Sequence, residues 1–180
     1  MIRTTNIKQL VRAALLIAVG IILPIFFHIF GTQAGAVFLP MHIPILIGGF
    51  ILSPSYALII GILTPILSHI FTGMPPFPFV YIMMFELAAY GLFISFLYNK
   101  IRLSVYPSLI IGMILGRIVN VLGVYIIIHM IIGKPFKLDI IAAGLFLKGL
   151  PGIIIQLIFI PLVVYAVKKS LGKEEKSVQV

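Results

Sequence analysis

The chain has 180 residues, of which 62% are hydrophobic and 9% are charged, and its formal net charge is +9. Soluble domains are typically about 45–50% apolar and about 25% charged, so this composition excludes an ordinary soluble fold. The absence of cysteine excludes disulfides, thiolate metal ligands and a thiol nucleophile. We therefore expect an integral membrane protein whose basic excess reflects membrane topology and not a nucleic-acid partner.

Six apolar runs predict an all-α membrane protein with six transmembrane helices. The runs are 10–29, 43–52, 56–71, 79–98, 106–132 and 140–167, and the second is short for a full crossing. We assign residues 1–169 to a single transmembrane substrate-binding domain and residues 170–180 to a cytoplasmic tail. The basic start of the first run resembles a signal peptide, but no small-residue cleavage site follows, so it is interpreted as a retained span.

Basic residues are divided unequally between the two sides of the membrane. If the N-terminus is inside, only Lys134 and Lys137 fall in outside loops. Nine basic residues then lie in cytoplasmic segments: Arg3, Lys8, Arg12, Lys100, Arg102, Lys168, Lys169, Lys173 and Lys176. By the positive-inside rule both termini are predicted to be cytoplasmic, and the Pro-rich segments 31–42 and 72–78 to be outside.

Three charged residues remain inside the apolar runs, namely Glu86, Arg117 and Lys148. Each costs about 2.5–3.5 kcal/mol at mid-bilayer, so such residues face the protein interior, a partner charge or a water-filled cavity. Glu86 and Lys148 fall about two turns from the outer ends of their spans, which predicts a pocket open to the outside. One carboxylate cannot neutralise two cations, so an anionic ligand group would satisfy the remainder. The alternative is a structural ion pair of Glu86 with Arg117 or with Lys148.

Asn120 and the histidines are further candidates for the pocket. Asn120 is three residues from Arg117 on the same predicted helix face, where it would either hydrogen-bond in the pocket or join two helices. All four histidines fall near the outer face, but no His-x-His or His-x3-His spacing occurs, and we predict no metal site. They are His28, His42, His69 and His129.

The sequence gives no sign of chemistry performed by this chain alone. It contains no Walker A motif, no nucleophile elbow, no zinc-protease motif and no acidic pair suited to acid–base catalysis. Three mid-span charges are too few for a proton relay, and no inverted repeat of a self-contained secondary transporter is visible. We therefore predict that the chain is not an enzyme and needs no cofactor.

Six short motifs occur along the chain, each modestly specific by itself. They are Ala14-x-x-x-Ala18, Phe38–Pro44 (FLPMHIP), the S-P-x-Y turn at 53–56, Thr72–Pro76 (TGMPP), Phe85–Gly91 (FELAAYG) and Gly116-Arg117. In this order, with six spans in about 180 residues, they resemble the substrate-binding (S) components of energy-coupling factor (ECF) transporters. The resemblance extends over nearly the whole chain, Leu10–Lys169.

The resemblance implies a vitamin-binding subunit of an ATP-driven importer in the bacterial cytoplasmic membrane, which does not pump by itself. It implies docking onto a transmembrane coupling subunit through a face that includes Ala14 and Ala18, and two ATPase subunits on the cytoplasmic side that drive the transport cycle. Small residues one turn apart let helices approach closely. The ligand would lie near the outer face under a lid at Phe38–His42. The implied pocket residues are Glu86, Tyr90, Arg117, Asn120 and Lys148, with His42 from the lid.

The order of the motifs is most similar to members assigned to pantothenate, a small carboxylate with hydroxyl and amide groups. The forked guanidinium of Arg117 suits a carboxylate, because it can bind both oxygens. The alternative within the family is a cobalamin precursor such as α-ribazole, or another uncharged vitamin, with Glu86 neutralising one cation. A stand-alone secondary transporter or channel is the alternative outside the family.

Overall fold

The computed structural model describes residues 2–29, 31, 33–139 and 143–177, and this part of the chain contains helices and connections but no β-strand. Short π-helical segments extend two of the helices and precede the last. They are Phe96–Lys100, Tyr125–Ile131 and Ala143–Lys148. The principal α-helices are α1 (Ile2–His28), α2 (Ala34–Phe38), α3 (His42–Ile51), α4 (Pro54–Thr72), α5 (Phe79–Ser95), α6 (Val105–Val124) and α7 (Leu150–Ser177).

Among the residues that the structure describes, six helical stretches are long and apolar enough to cross a membrane, with mean hydropathies from 1.6 to 2.6. The prediction of an all-α protein with six transmembrane helices is therefore confirmed, and an even number of crossings puts both chain ends on the same side. The stretches are Asn6–Phe27, Ala34–Ile51, Pro54–Thr72, Phe79–Lys100, Val105–Ile131 and Leu150–Ser170.

The second span is a broken helix. Leu39, which has a left-handed backbone (φ 51), separates α2 from α3. The ten residues of α3 rise only about 15 Å, half of the hydrocarbon core, so the short apolar run seen in the sequence is explained. The residues between Met41 and Phe50 are nevertheless mostly buried. This span contributes to the protein core more than to the lipid-facing surface.

The sixth span begins later than the apolar run predicts. The π-helical segment Ala143–Lys148 comes first, and α7 starts at Leu150. Pro151 stands in the first turn of α7, where its missing N–H costs no helical hydrogen bond. At its other end α7 continues to Ser177, so most of the predicted cytoplasmic tail is helical.

Glycines permit close packing around the middle of α5. A Cβ atom at Gly61 of α4 would lie 2.5 Å from the backbone nitrogen of Ala88, so only glycine allows this contact. Gly91 of α5 likewise meets the backbone of Ala57 on α4. Leu87 and Ala88 directly follow Glu86. This close packing against α4 therefore fixes the part of α5 that carries the Glu86 side chain.

Candidate substrate-binding site

Glu86 is the centre of a buried hydrogen-bonded cluster. Its side chain on α5 is 1% exposed. The hydroxyl of Tyr90 donates to its Oε1 at 2.8 Å, and Nη1 of Arg117 donates to the same oxygen at 2.9 Å. Nδ2 of Asn120 donates to Oε2 at 2.6 Å. Glu86 therefore forms the structural ion pair with Arg117 that the sequence left open, and each of its oxygens has a donor.

Helical spacing assembles this cluster from two helices. Tyr90 lies one turn after Glu86 on α5, and Arg117 and Asn120 lie one turn apart on α6. Gly116 lets the ring of Tyr90 lie directly against α6, since a Cβ atom there would collide with the ring. The Gly116-Arg117 pair therefore combines a packing residue with a binding candidate.

His42 approaches the same carboxylate from the start of α3. It is 3% exposed, and its Nε2 atom is 3.6 Å from Oε1 of Glu86, beyond hydrogen-bond distance. Both ring nitrogens of His42, and Nε of Arg117, are buried without a hydrogen-bond partner among the described residues. Leaving a buried polar group unpaired costs about 1–3 kcal/mol, so these atoms are available to a ligand.

His42, Glu86, Arg117 and Asn120 form the floor of a cavity of about 670 Å³, a size typical of small-molecule sites. The walls are mostly apolar. They consist of Pro24, Leu39, Pro40, Met41, Met74, Pro75, Pro76, Phe79 and Met83. The α1–α2 and α4–α5 connections contribute to this lining, and so does the segment before α7. All three belong to the side predicted to be extracellular.

Lys148 lies at the mouth of the cavity, not two turns inside a span as the sequence predicted. The reason is the late start of α7, which leaves Lys148 exposed at the end of the preceding π-helical segment. Its Nζ donates a hydrogen bond to Oε1 of Gln33, which is also exposed and also lines the cavity. Gln33 was not anticipated, since only its polarity distinguished it within a Gly- and Pro-rich connection.

Five of the six predicted pocket residues line the cavity: His42, Glu86, Arg117, Asn120 and Lys148. Tyr90 instead lies behind Glu86, where it positions the carboxylate. From the predicted lid, the stretch 39–42 faces the cavity. This stretch is fixed to α7, because Nε2 of the buried Gln156 donates to the carbonyl of Leu39 at 3.3 Å. Gln156 is a second residue that the sequence analysis missed.

Two other histidines contact backbone carbonyls of the connections that follow them, on the side predicted to be extracellular. Nδ1 of His69 is 2.8 Å from the carbonyl of Pro75, and Nδ1 of His129 is 2.9 Å from the carbonyl of Lys134. The side chain of His28 is outside the described part. No group of three His, Cys, Asp or Glu residues that could hold a metal is found among the residues described.

The predicted docking face lies on the side of α1 that points away from the other helices. Only 17% of the α1 span is buried, against 61% of the second span. Ala14 and Ala18 are both exposed there. Large apolar side chains on the same helix are exposed as well, including Leu10, Leu15 and Ile22.

The six helices and the cavity define a multi-pass membrane protein with space for a small molecule. The family model for the ECF transporter, substrate-specific component, matches residues 8–164, and the chain belongs to that family. It is therefore a substrate-specific subunit of an ECF importer of vitamins or other micronutrients, not an enzyme, and acts in a membrane-embedded complex with ECF module subunits. Comparison with curated proteins and with solved structures gave no match.

Proposed function

We propose that this subunit captures pantothenate, or a closely similar small carboxylate, at the outer face of the bacterial cytoplasmic membrane. The observation that carries the proposal is the composition of the cavity. Its buried floor has hydrogen-bonding groups from His42, Arg117 and Asn120, its walls are apolar, and Lys148 adds a positive charge at the mouth. Pantothenate matches this arrangement, because it combines a carboxylate with hydroxyl, amide and methyl groups.

In this proposal the substrate-binding residues are Glu86, Tyr90, Arg117, Asn120, Lys148 and His42. Tyr90 and Glu86 act by holding Arg117 and Asn120 in place. The exposed face of α1 with Ala14 and Ala18 docks onto the transmembrane coupling subunit, and two ATPase subunits on the cytoplasmic side supply the energy. Residues 1–169 form the transmembrane domain, and the remainder of α7 extends into the cytoplasm.

An uncharged vitamin such as α-ribazole is the second candidate, and the Glu86–Arg117 ion pair supports it. With that pair closed at 2.9 Å, the buried floor carries no net charge. A neutral ligand would then need only hydrogen bonds there. The positive charge of Lys148 favours the carboxylate.

The test is equilibrium binding of radiolabelled pantothenate to the purified chain in detergent, without ATP. We expect tight binding by the chain alone, and uptake into liposomes only when the coupling and ATPase subunits are present. Tight binding of α-ribazole instead would keep the importer subunit and reject the substrate. Flux through liposomes containing this chain alone would contradict the subunit role.

A matched pair of asparagine variants tests the location of the site. Asn120→Leu removes a hydrogen-bonding side chain from the floor, and the loss of one hydrogen bond to the ligand is worth about 0.5–1.5 kcal/mol, so affinity should fall by about twofold to tenfold. Asn99→Leu is the control, because Asn99 bonds to Ser95 and to the carbonyl of Leu52, away from the cavity. Equal affinities for both variants would place the ligand elsewhere.

A further inference from the structure

The charges that line the cavity are separated by depth. On the floor, Glu86 and Arg117 are 1% and 5% exposed and neutralise each other. At the mouth, Lys148 is exposed and bonds to the uncharged amide of Gln33. Apart from His42, the described lining of the cavity has one uncompensated positive charge, and that charge is at the mouth.

We propose, resting on the proposed function, that the substrate is a monoanion bound in one orientation. Its anionic group lies at the mouth between Lys148 and Gln33, and an uncharged hydrogen-bonding group lies on the floor. This reverses the expectation from the sequence, in which Arg117 holds the carboxylate. Lys148 is then the residue that selects the charged form of the substrate.

The floor is unsuited to an anion because Glu86 already occupies it. An anionic group at His42 would lie beside a carboxylate that is 3.6 Å from the His42 ring, and like charges repel strongly in a low-dielectric interior. Nη1 of Arg117 is already committed to Glu86. Among the described residues that line the cavity, the buried unpaired atoms are the two ring nitrogens of His42 and Nε of Arg117.

These unpaired atoms match a hydroxyl or an amide. A neutral imidazole offers one donor and one acceptor, and a guanidinium N–H offers a further donor. A hydroxyl both donates and accepts, so one such group on the ligand can pair with one ring nitrogen of His42 and with Nε of Arg117, and a second hydroxyl or an amide can pair with the other ring nitrogen. The cavity therefore selects a molecule with hydroxyl or amide groups at one end.

The single positive charge of Lys148 also favours a ligand with one negative charge over a ligand with two. A carboxylate carries one negative charge at neutral pH, whereas a phosphate monoester carries between about 1.5 and 2. A single carboxylate neutralises Lys148 and leaves no excess in the cavity. The apolar walls from Met74, Phe79 and Met83 then fit the uncharged body between the two polar ends. The class of substrate is an amphipathic monocarboxylate.

The experiment compares acids with neutral analogues of the same shape. The probes are pantothenate and panthenol, in which an alcohol replaces the carboxylate, followed by nicotinate with nicotinamide and biotin with biotinamide. Binding is measured by calorimetry on the wild-type chain, on Lys148→Met and on Lys148→Arg. Because Lys148 is exposed, we expect these substitutions to leave folding intact, which thermal unfolding checks.

We expect one acid to bind the wild-type chain about tenfold or more tightly than its neutral analogue. Lys148→Met should remove this preference by weakening the binding of the acid alone, whereas Lys148→Arg should keep the preference. Added salt should weaken binding of the acid and not of the analogue. Arg117→Met should weaken both members of the pair, because the floor binds the part they share.

Other results overturn the inference in distinguishable ways. If Lys148→Met keeps the preference while Arg117→Met removes it, the carboxylate lies on the floor. If the neutral analogue binds as tightly as the acid, the substrate is not an anion, although the importer function stands. If no probe binds to a demonstrably folded chain, the proposed function fails together with this inference.

Discussion

The cavity and the exposed face of α1 differ in which side chains they bury and which they expose. Inside the cavity, charged and polar side chains are buried, with Glu86, Arg117 and Asn120 between 1% and 6% exposed. On α1, small and apolar side chains are exposed, and Leu10 and Leu15 are more than 60% accessible. A buried polar cluster is suited to a small-molecule ligand, whereas an exposed apolar strip with small residues is suited to another helix or to lipid.

The two regions share a helix and are separated along it. Pro24 of α1 lines the cavity, and Ala14 is ten residues earlier. At 1.5 Å per residue this is about 15 Å along the helix axis. The comparison therefore predicts that ligand binding and partner docking respond to different substitutions.

The largest effect is expected from Glu86→Ala. This substitution leaves the charge of Arg117 buried without its partner, which should destabilise the protein by about 3–5 kcal/mol. Thermal unfolding of the detergent-solubilised chain, followed by circular dichroism, measures the loss. The double variant Glu86→Ala with Arg117→Met should recover much of it, because no unpaired charge remains. An unchanged unfolding temperature for Glu86→Ala would contradict the buried pair.

The next effect is on ligand affinity. Arg117→Ala should cost about 1.5–3 kcal/mol of binding free energy for pantothenate, since it removes a charged hydrogen-bond donor from the floor and leaves Glu86 uncompensated. Calorimetry on the folded variant measures this loss. Adding Glu86→Gln should restore part of the affinity by removing the unpaired negative charge. Unchanged affinity in folded Arg117→Ala would remove Arg117 from the site.

Substitutions on α1 should weaken assembly with the coupling subunit and leave ligand affinity unchanged. Phenylalanine at both Ala14 and Ala18 keeps other helices apart, and overpacking of about 1–3 kcal/mol weakens the complex with the coupling subunit by about fivefold or more. Affinity for the ligand should stay unchanged. Ala166→Phe is the matched control, because Ala166 is an exposed alanine on α7. Co-purification with the coupling subunit measures assembly, and a double variant that still co-purifies would disprove this docking face.

The sequence predicted the number of spans and most of the floor for physical reasons. Apolar runs of membrane-spanning length have few alternatives, and a mid-span Glu86 or Arg117 demands a buried partner. Helical spacing then placed Asn120 beside Arg117. These inferences depend on local patterns, which a single sequence contains.

The mouth could not be predicted, because its arrangement depends on contacts between distant segments. The bond between Gln33 and Lys148 joins residues 115 positions apart, and that between Gln156 and Leu39 joins residues 117 apart. The late start of α7 moved Lys148 out of the span that hydropathy assigned to it. Hydropathy alone does not distinguish a π-helical segment from the α-helix that follows it.

The smallest effect is expected from Gln156→Leu, which removes the hydrogen bond from Gln156 to the lid at Leu39. The loss of one such bond costs about 1 kcal/mol, so ligand dissociation should accelerate by about fivefold. The control is Gln9→Leu on α1, which removes the 2.9 Å bond that Oε1 accepts from the backbone of Ser53. Both variants should lose similar stability, but only Gln156→Leu should release radiolabelled pantothenate faster. Equal release rates would contradict a specific role of the Gln156–Leu39 bond in retaining the ligand, because loss of the Ser53–Gln9 bond on α1 would then have the same effect.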